Sequence, residues 1–91
     1  MAQWMIGETY FHQKDYAAAL RAYLRLEILY DYPRWQSAAL LQAAKCHEAL
    51  GESKEATELY TRLMKTYPDS PFVNEASQRL QTAEQRTKEK K

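Results

Sequence analysis

The side chains best suited to chemistry in this chain are two histidines and a single cysteine. His12 follows Glu8 by four residues, and His47 stands between Cys46 and Glu48. Imidazole, thiolate and carboxylate groups bind zinc and transfer protons, so a metal or acid–base site has to be considered. Adjacent residues on a helix point about 100° apart, so Cys46 and His47 do not face one ion, and no third ligand converges on either. The pattern therefore favours a buried thiol and a half-buried imidazole between helices.

The sequence motifs of common enzyme classes are also missing. There is no glycine-rich phosphate loop, no G-x-S-x-G and no H-E-x-x-H. The aspartates Asp15, Asp31 and Asp69 all fall at predicted helix junctions, where helix capping accounts for them. We therefore predict a protein that is not an enzyme and that needs neither a cofactor nor a metal ion.

The charge and the length of the chain further narrow the classes of protein to which it can belong. The chain has 91 residues, with 13 Lys and Arg against 12 Asp and Glu, so no net field attracts nucleic acid or an anionic membrane. The first apolar run, residues 4–6, ends at Gly7 and Glu8, which excludes a signal peptide or a membrane-spanning helix there. One cysteine forms no internal disulfide, so the redox compartment of the protein stays open. Because Met1 adjoins helix-like sequence without a capping residue, we expect the chain to begin inside a longer protein.

The basic residues near the C-terminus do not make a phosphate site. Arg86, Lys88, Lys90 and Lys91 are interspersed with Glu84 and Glu89, and no aromatic residue stands among them to stack on bases. This composition is typical of a frayed, solvated helix end. We predict no nucleic-acid partner.

Internal repetition is the most informative feature of the sequence. Shifting the chain by 37 residues superimposes identical residues at six positions: Ala2 with Ala39 and Ala76, Ala19 with Ala56, Tyr23 with Tyr60, Arg25 with Arg62, Leu26 with Leu63, and Tyr30 with Tyr67. Within each unit the apolar residues recur at helical spacing, which gives each helix one wide apolar face. A period of this length predicts a solenoid of stacked helices.

The breaks between apolar stretches predict five helices, over residues 2–13, 15–30, 35–50, 53–67 and 71–86. Short connections make consecutive helices antiparallel, so we expect an all-α solenoid of αα-hairpins. Its units are residues 1–33, residues 34–70, and a capping helix with a frayed basic tail over 71–91. Gly51 is expected to end the third helix in a left-handed conformation, and Ser70 with Pro71 to begin the last.

These units resemble tetratricopeptide repeats. The matching positions are Gly7, Tyr10, Asp15, Tyr16, Ala19, Tyr23 and Pro33 in the first unit, and Ala44, Gly51, Ala56, Tyr60 and Pro68 in the second. His47 departs from the pattern where an aromatic is usual, and the period exceeds the usual length of about 34 residues. The Tyr-Pro-Asp-Ser-Pro segment at 67–71 resembles the branch of this family found in bacterial envelope proteins, of the Tol-Pal-associated or barrel-assembly lipoprotein type.

The resemblance implies a protein-binding scaffold that holds a peptide or partner helix in a concave groove lined by the first helix of each unit. By position, the implied groove residues are Trp4, Glu8, Phe11, His12, Leu41, Lys45, Glu48 and Ala49, with Glu75, Gln78, Arg79 and Thr82 from the last helix. Members that bind chaperone tails grip a carboxylate with a Lys and Asn clamp. Trp4, Glu8 and Gln42 stand at such positions here, and only Arg79 has the right charge, which disfavours that ligand.

Two alternatives remain open beside groove binding. The first alternative is a structural spacer or self-association segment of a repeat array. The second is an enzyme or metal protein based on His12, Cys46 and His47. The first helix concentrates Trp4, Met5, Ile6, Tyr10 and Phe11, more apolar surface than one neighbouring helix buries. This predicts a two-fold homodimer with Trp4 and Phe11 at the contact, although both aromatics could equally line the groove or pack on a preceding repeat.

Overall fold

The computed structural model describes the backbone of residues 2–89 and the side chains of residues 2–82. It contains α1 (Ala2–His12), α2 (Tyr16–Leu29), α3 (Pro33–Ala49), α4 (Ser53–Thr66) and α5 (Val73–Glu89), and these described residues include no strand. The predicted all-α fold with five helices is confirmed. Of the predicted basic tail, Lys90 and Lys91 lie outside the described residues.

Two helix starts differ from the prediction. The third helix begins at Pro33 rather than at residue 35, because proline has a helical φ and the first turn needs no N–H donor from it. The fifth begins at Val73, two residues later than predicted. Before it, the Phe72 N–H donates to Oγ of Ser70 at 3.1 Å, which fixes a turn at Pro71 instead of a helical start.

The prediction that aspartates cap the helices is confirmed at one junction and is wrong at two. Oδ1 of Asp15 accepts a hydrogen bond from the Ala18 N–H at 3.3 Å and caps α2. Asp31 and Asp69 are exposed and cap no helix, since Tyr32 precedes α3 without a side-chain cap. A side chain capable of capping stands at all three positions, but the chain path brings only Asp15 to the N-cap.

The helices pack in chain order, each against the next, into a slab of 41 × 31 × 16 Å. One apolar core lies between α1, α2 and α3, and a second lies between α3, α4 and α5. The helix α3 contributes to both cores, so it joins the two hairpins. No helix in the described part of the chain is long and apolar enough to cross a membrane.

The two hairpins have the same internal register. Ala19 and Ala56, Tyr23 and Tyr60, and Leu26 and Leu63 are all fully buried, as the shift of 37 residues predicts. A small residue at the Ala19 and Ala56 positions lets the two helices of a hairpin approach closely. The predicted burial of both alanines is confirmed, and their close contact with the other helix of the hairpin stays a prediction.

Both hairpin turns also use the same backbone conformation. Gly51 has φ +79°, and Lys14, its equivalent in the first hairpin, has φ +62°. In each turn the left-handed residue and the next one donate backbone hydrogen bonds to the last turn of the preceding helix, with N···O distances from 2.8 to 3.0 Å. The left-handed conformation predicted at Gly51 is confirmed, and Lys14 adopts it without the freedom of glycine.

Substitutions at the left-handed residue of each turn should affect the free energy of unfolding differently. Gly51→Ala should lower the free energy of unfolding by about 1 kcal/mol, because alanine is strained at positive φ although no atom lies within 4 Å of the added Cβ. Lys14→Gly should leave stability unchanged or raise it by up to about 1 kcal/mol, since it relieves the same strain. Denaturant unfolding of both variants measures this, and a loss of stability in Lys14→Gly would contradict it.

Enlarging the buried alanine of the second hairpin should destabilise the fold. Ala56→Leu adds three carbons where no space is left and should cost about 1–3 kcal/mol. Ala17→Leu, on the exposed side of α2, is the matched control and should change stability by no more than about 0.5 kcal/mol. Equal unfolding midpoints for Ala56→Leu and the parent chain would show that this contact is not close-packed.

Candidate functional site

A depression on the surface runs across α1, α3 and α5, and we call it the α1–α3–α5 groove. Its volume is about 490 Å³. Every second helix of the chain contributes to it because consecutive helices alternate between the two faces of the slab. It is lined by Trp4, Arg34, Trp35, Ala38, Leu41, Gln42, Lys45, Phe72 and Glu75.

Aromatic rings form much of the floor of this groove. The Trp4 ring meets Trp35 edge-on, with centroids 5.6 Å apart, and meets Tyr23 of α2 in the same way at 5.3 Å. Edge-to-face geometry is the favourable arrangement for aromatic pairs. Because Tyr23 is fully buried, it holds Trp4 in place, and the floor is preorganised.

The edge of the groove between α3 and α5 is charged. Nζ of Lys45 lies 3.0 Å from Oε2 of Glu75, and Nε of Arg79 donates to the same oxygen at 3.0 Å. The hydrogen bond from Lys45, assisted by Arg79, lowers the pKa of the Glu75 carboxyl below its ordinary value, although partial burial opposes the shift. The carboxylate is therefore ionised and partnered at neutral pH.

A second polar network lies between the helices of each hairpin. In the first, the Tyr23 hydroxyl donates to Oε1 of Glu8 at 3.0 Å, and Nε2 of Gln42 donates to the same oxygen at 3.2 Å. In the second, the Tyr60 hydroxyl donates to Oε1 of Glu48. Burial, with the acceptor carboxylate as the next cause, raises the pKa of both tyrosines, so both keep their protons. These carboxylates satisfy buried hydroxyls and are not free to bind a ligand.

The structure separates the predicted groove residues into three sets. Trp4, Leu41 and Lys45 line the α1–α3–α5 groove, together with Glu75. Glu8, Glu48 and Arg79 belong to the polar networks. Three others lie apart: Phe11 packs on Tyr16 with centroids 5.4 Å apart, His12 is exposed with Nε2 3.8 Å from Glu8, and Ala49 is exposed near the end of α3.

The remaining predicted residues lie beside the groove on α5. Gln78 and Thr82, with Arg79, line a shallower open surface that continues from Glu75. This surface extends the groove along the last helix, but no aromatic residue lines it.

Five groove residues fall outside the sequence-based prediction: Arg34, Trp35, Ala38, Gln42 and Phe72. A signal for two of them exists in the sequence, because Trp35 and Phe72 are 37 residues apart; Trp35 lies in the first turn of α3 and Phe72 lies just before α5. Gln42 is 37 residues before Arg79, which belongs to the predicted set, whereas Arg34 is equivalent to Pro71 and carries no such signal.

The residues considered for metal binding or catalysis do not come together. Cys46 is fully buried, and burial raises the pKa of its thiol to about 12. Nδ1 of His47 lies 2.8 Å from Oε1 of Glu52, an ion pair when the imidazole is protonated. Among the residues that the structure describes, no three His, Cys, Asp or Glu side chains are placed to hold a metal ion.

The homodimer through α1 stays a prediction, and Trp4 and Phe11, its predicted contact residues, are half-buried and pack on the first core. The apolar side chains that α1 leaves exposed are Met5, Ile6 and Tyr10, at 62%, 45% and 37% exposure. A contact through α1 would therefore use these three residues.

The ion pair at the groove edge makes a testable contribution to stability. Because the folded-state pKa of Glu75 is lowered, its stabilising effect is present above the ordinary carboxyl pKa of about 4.3 and is lost as pH falls through the folded-state value. In Lys45→Gln we expect the pKa of Glu75 to rise and part of the acid-dependent loss of stability to disappear. NMR titration of the side-chain carboxyl measures this; the exposed control Lys54→Gln should leave Glu75 unchanged.

Comparison with protein-family models identifies two copies of the tetratricopeptide repeat, at residues 1–33 and 38–70. Comparison with curated proteins and with solved structures found no match. The family match is to the repeat itself and supports no particular branch of the family. The repeats cover most of the chain, and their hairpins are α1–α2 and α3–α4. The chain belongs to the tetratricopeptide-repeat family.

Proposed function

We propose that the α1–α3–α5 groove binds an extended peptide or a helix of a partner protein. Tetratricopeptide repeats generally mediate protein–protein interaction and are not enzymes as a rule. The observation that supports this particular site is the apolar floor, in which Trp4 comes from α1, Trp35 from α3 and Phe72 from the turn before α5. Half-buried aromatic rings held by a rigid scaffold are the residues that dominate binding energy at protein interfaces.

The charges around the floor favour a ligand that is partly apolar and partly polar over a strongly charged one. Arg34 is exposed at the groove and makes no ion pair among the described side chains, whereas Lys45 is already partnered by Glu75. The groove therefore offers one cation beside a large apolar area. We infer a ligand that seats an aromatic or branched aliphatic side chain on the floor and places a carboxylate or carbonyl near Arg34.

A clamp for the carboxylate of a chaperone tail is a poor fit to this geometry. Such a ligand needs converging free cations, and Lys45 and Arg79 both contact Glu75. Releasing them would leave a half-buried carboxylate without its partners.

The alternative function, a spacer or self-association segment, is favoured by one observation. Met5, Ile6 and Tyr10 present exposed apolar surface on α1, and such patches commonly mark association sites. In this case the chain would form dimers whose population rises with concentration, and Met5→Gln or Ile6→Gln would abolish them.

We also propose that the chain belongs to the branch of its family that is found in bacterial envelope proteins, which would place it in the cell envelope. The supporting observation is the Tyr-Pro-Asp-Ser-Pro segment at 67–71, which joins α4 to α5. Fractionation of source cells with an antibody raised against the chain tests it, and recovery in the cytosol alone would contradict it.

Groove binding is tested with peptides selected from a random phage-displayed library. The two tryptophans of the chain, Trp4 and Trp35, both line the groove, so their fluorescence reports occupancy. We expect Trp35→Ala to weaken binding of a selected peptide by about tenfold or more, as loss of an aromatic anchor does. Arg34→Glu should weaken the binding of peptides that contain a carboxylate.

Matched controls separate the groove from the rest of the surface. Ile28→Ala removes an apolar side chain that is 82% exposed on α2, and Lys54→Glu reverses an exposed charge on α4. Both should leave affinity unchanged. If these controls weaken binding as much as the groove variants, if backbone amide shifts map to α2 and α4, or if the library yields no binder, the groove is not the binding site.

A further inference from the structure

A second surface lies where two connections meet, the one from α2 to α3 and the one from α4 to α5. Three large apolar side chains at the first connection are exposed: Ile28 at 82%, Leu29 at 61% and Tyr32 at 64%. Beside them is a depression of about 470 Å³ that contains all three prolines of the chain. It is lined by Pro33, Arg34, Thr66, Tyr67, Pro68, Asp69, Ser70 and Pro71. We call the exposed side chains and the depression together the junction surface.

The stacking of one repeat on another does not account for these exposed apolar side chains. Their equivalents in the second hairpin, 37 residues later, are three polar residues: Lys65, Thr66 and Asp69. All three stay exposed although the first hairpin packs against the second. A further hairpin that packed in the same way against the first one would therefore leave the three apolar side chains exposed as well.

The apolar parts of the junction surface complement each other. Tyr32 is an exposed aromatic ring that directly precedes Pro33, a residue of the depression. Proline rings and aromatic rings pack well on one another, as in the recognition of proline-rich segments by aromatic-lined grooves. Because proline has a fixed φ, a surface built from prolines loses little conformational freedom on binding. The same surface therefore carries both an apolar side chain and a rigid depression that can accommodate one.

The charges of the junction surface are self-complementary in the same way. Asp31 stands next to Tyr32, and Arg34 lines the depression. Both residues are exposed and make no ion pair among the described side chains. In a two-fold contact, residue i of one copy meets residue j of the other, and the reverse pair forms as well. Placing Tyr32 of each copy in the depression of the other would bring Asp31 towards Arg34 at two symmetric positions.

A lipid surface fits this region less well than a second copy does. Asp31 and Asp69 are both exposed at the junction surface. The negative potential of an anionic membrane repels carboxylates. A second copy offers each Asp31 an arginine instead.

We propose that the junction surface docks a second copy of this chain in a two-fold dimer. Tyr32 of each copy packs in the proline-lined depression of the other, and Asp31 pairs with Arg34 of the other copy. Ile28 and Leu29 enlarge the apolar contact. Two short connections form a small interface, so we expect a weak dimer. This dimer does not depend on peptide binding in the α1–α3–α5 groove.

The dimer is tested by sedimentation velocity of the chain at concentrations from about 5 µM to 500 µM, the range expected for a weak interface. We expect the average mass to rise with concentration towards that of a dimer. Ile28→Gln and Tyr32→Ala should each raise the dissociation constant of the dimer by about tenfold or more, because each removes an apolar contact. Ile6→Gln, at an exposed apolar position on α1, is the matched control and should leave the dissociation constant unchanged.

An exchange of charges tests how the two copies face each other. Asp31→Arg and Arg34→Asp should each weaken the dimer, because each variant places like charges at both symmetric pairs. In an equimolar mixture of these two variants, both pairs again join opposite charges. The mixture should therefore form a heterodimer with nearly the affinity of the parent chain. Since both positions are exposed, neither substitution should change the denaturant midpoint of unfolding.

Three results would overturn the proposal. The first is a monomeric mass over the whole concentration range, whether or not the monomer sediments with phosphatidylserine vesicles, because another partner or a lipid surface would then be the occupant. The second is a dimer that Ile6→Gln dissociates and Ile28→Gln does not, because the contact would then lie on α1. The third is a mixture of the two charge variants that stays monomeric. Trp35→Ala should leave the dimer intact, which separates failure of this proposal from failure of the groove.

Discussion

Each hairpin closes around one buried tyrosine, and the rest of the architecture depends on how that ring and its hydroxyl are accommodated. Tyr23 packs so tightly against α1 that a Cβ on Gly7 would lie 2.6 Å from Cε1 of the ring. The hydroxyl needs an acceptor because an unpaired buried donor costs about 1–3 kcal/mol. Glu8, one residue after Gly7, supplies it. Ring and hydroxyl together set the spacing and register of the two helices.

That constraint accounts for the groove as well as for the core. Tyr23 also supports Trp4 from behind, and Trp4 in turn meets Trp35 of the next unit. The position of a half-buried aromatic ring in the groove is therefore determined by a buried ring on another helix. In the second hairpin the larger Ala44 stands where Gly7 does and the smaller Leu41 stands where Trp4 does, and both belong to the core that contains Tyr60.

The fold could be predicted from the sequence because it follows from features that are local or exactly repeated, such as the apolar faces and the shift of 37 residues. The site could be predicted only in part. Glu8 and Lys45 are equivalent in the repeat, yet Glu8 accepts from Tyr23 while Lys45 reaches Glu75 on the next helix. Which neighbour a long side chain meets depends on the packing between units, and the pattern within one helix contains no information on that. Lys14 at positive φ is a similar case, because nothing in its type indicates it.

Repetition within one chain supplies a reference for interpreting surfaces. Where both units carry the same residue, as at Arg25 and Arg62, the two environments can be compared directly. Arg62 pairs with Glu27, whereas Arg25 has no ion pair among the described side chains. Where the units differ, as at Ile6 and Ala43, the difference in size and polarity shows that the two faces meet different surroundings. The groove combines residues of all three odd-numbered helices and has no second instance among the described residues, so its ligand has to be inferred from the chemistry of the groove itself.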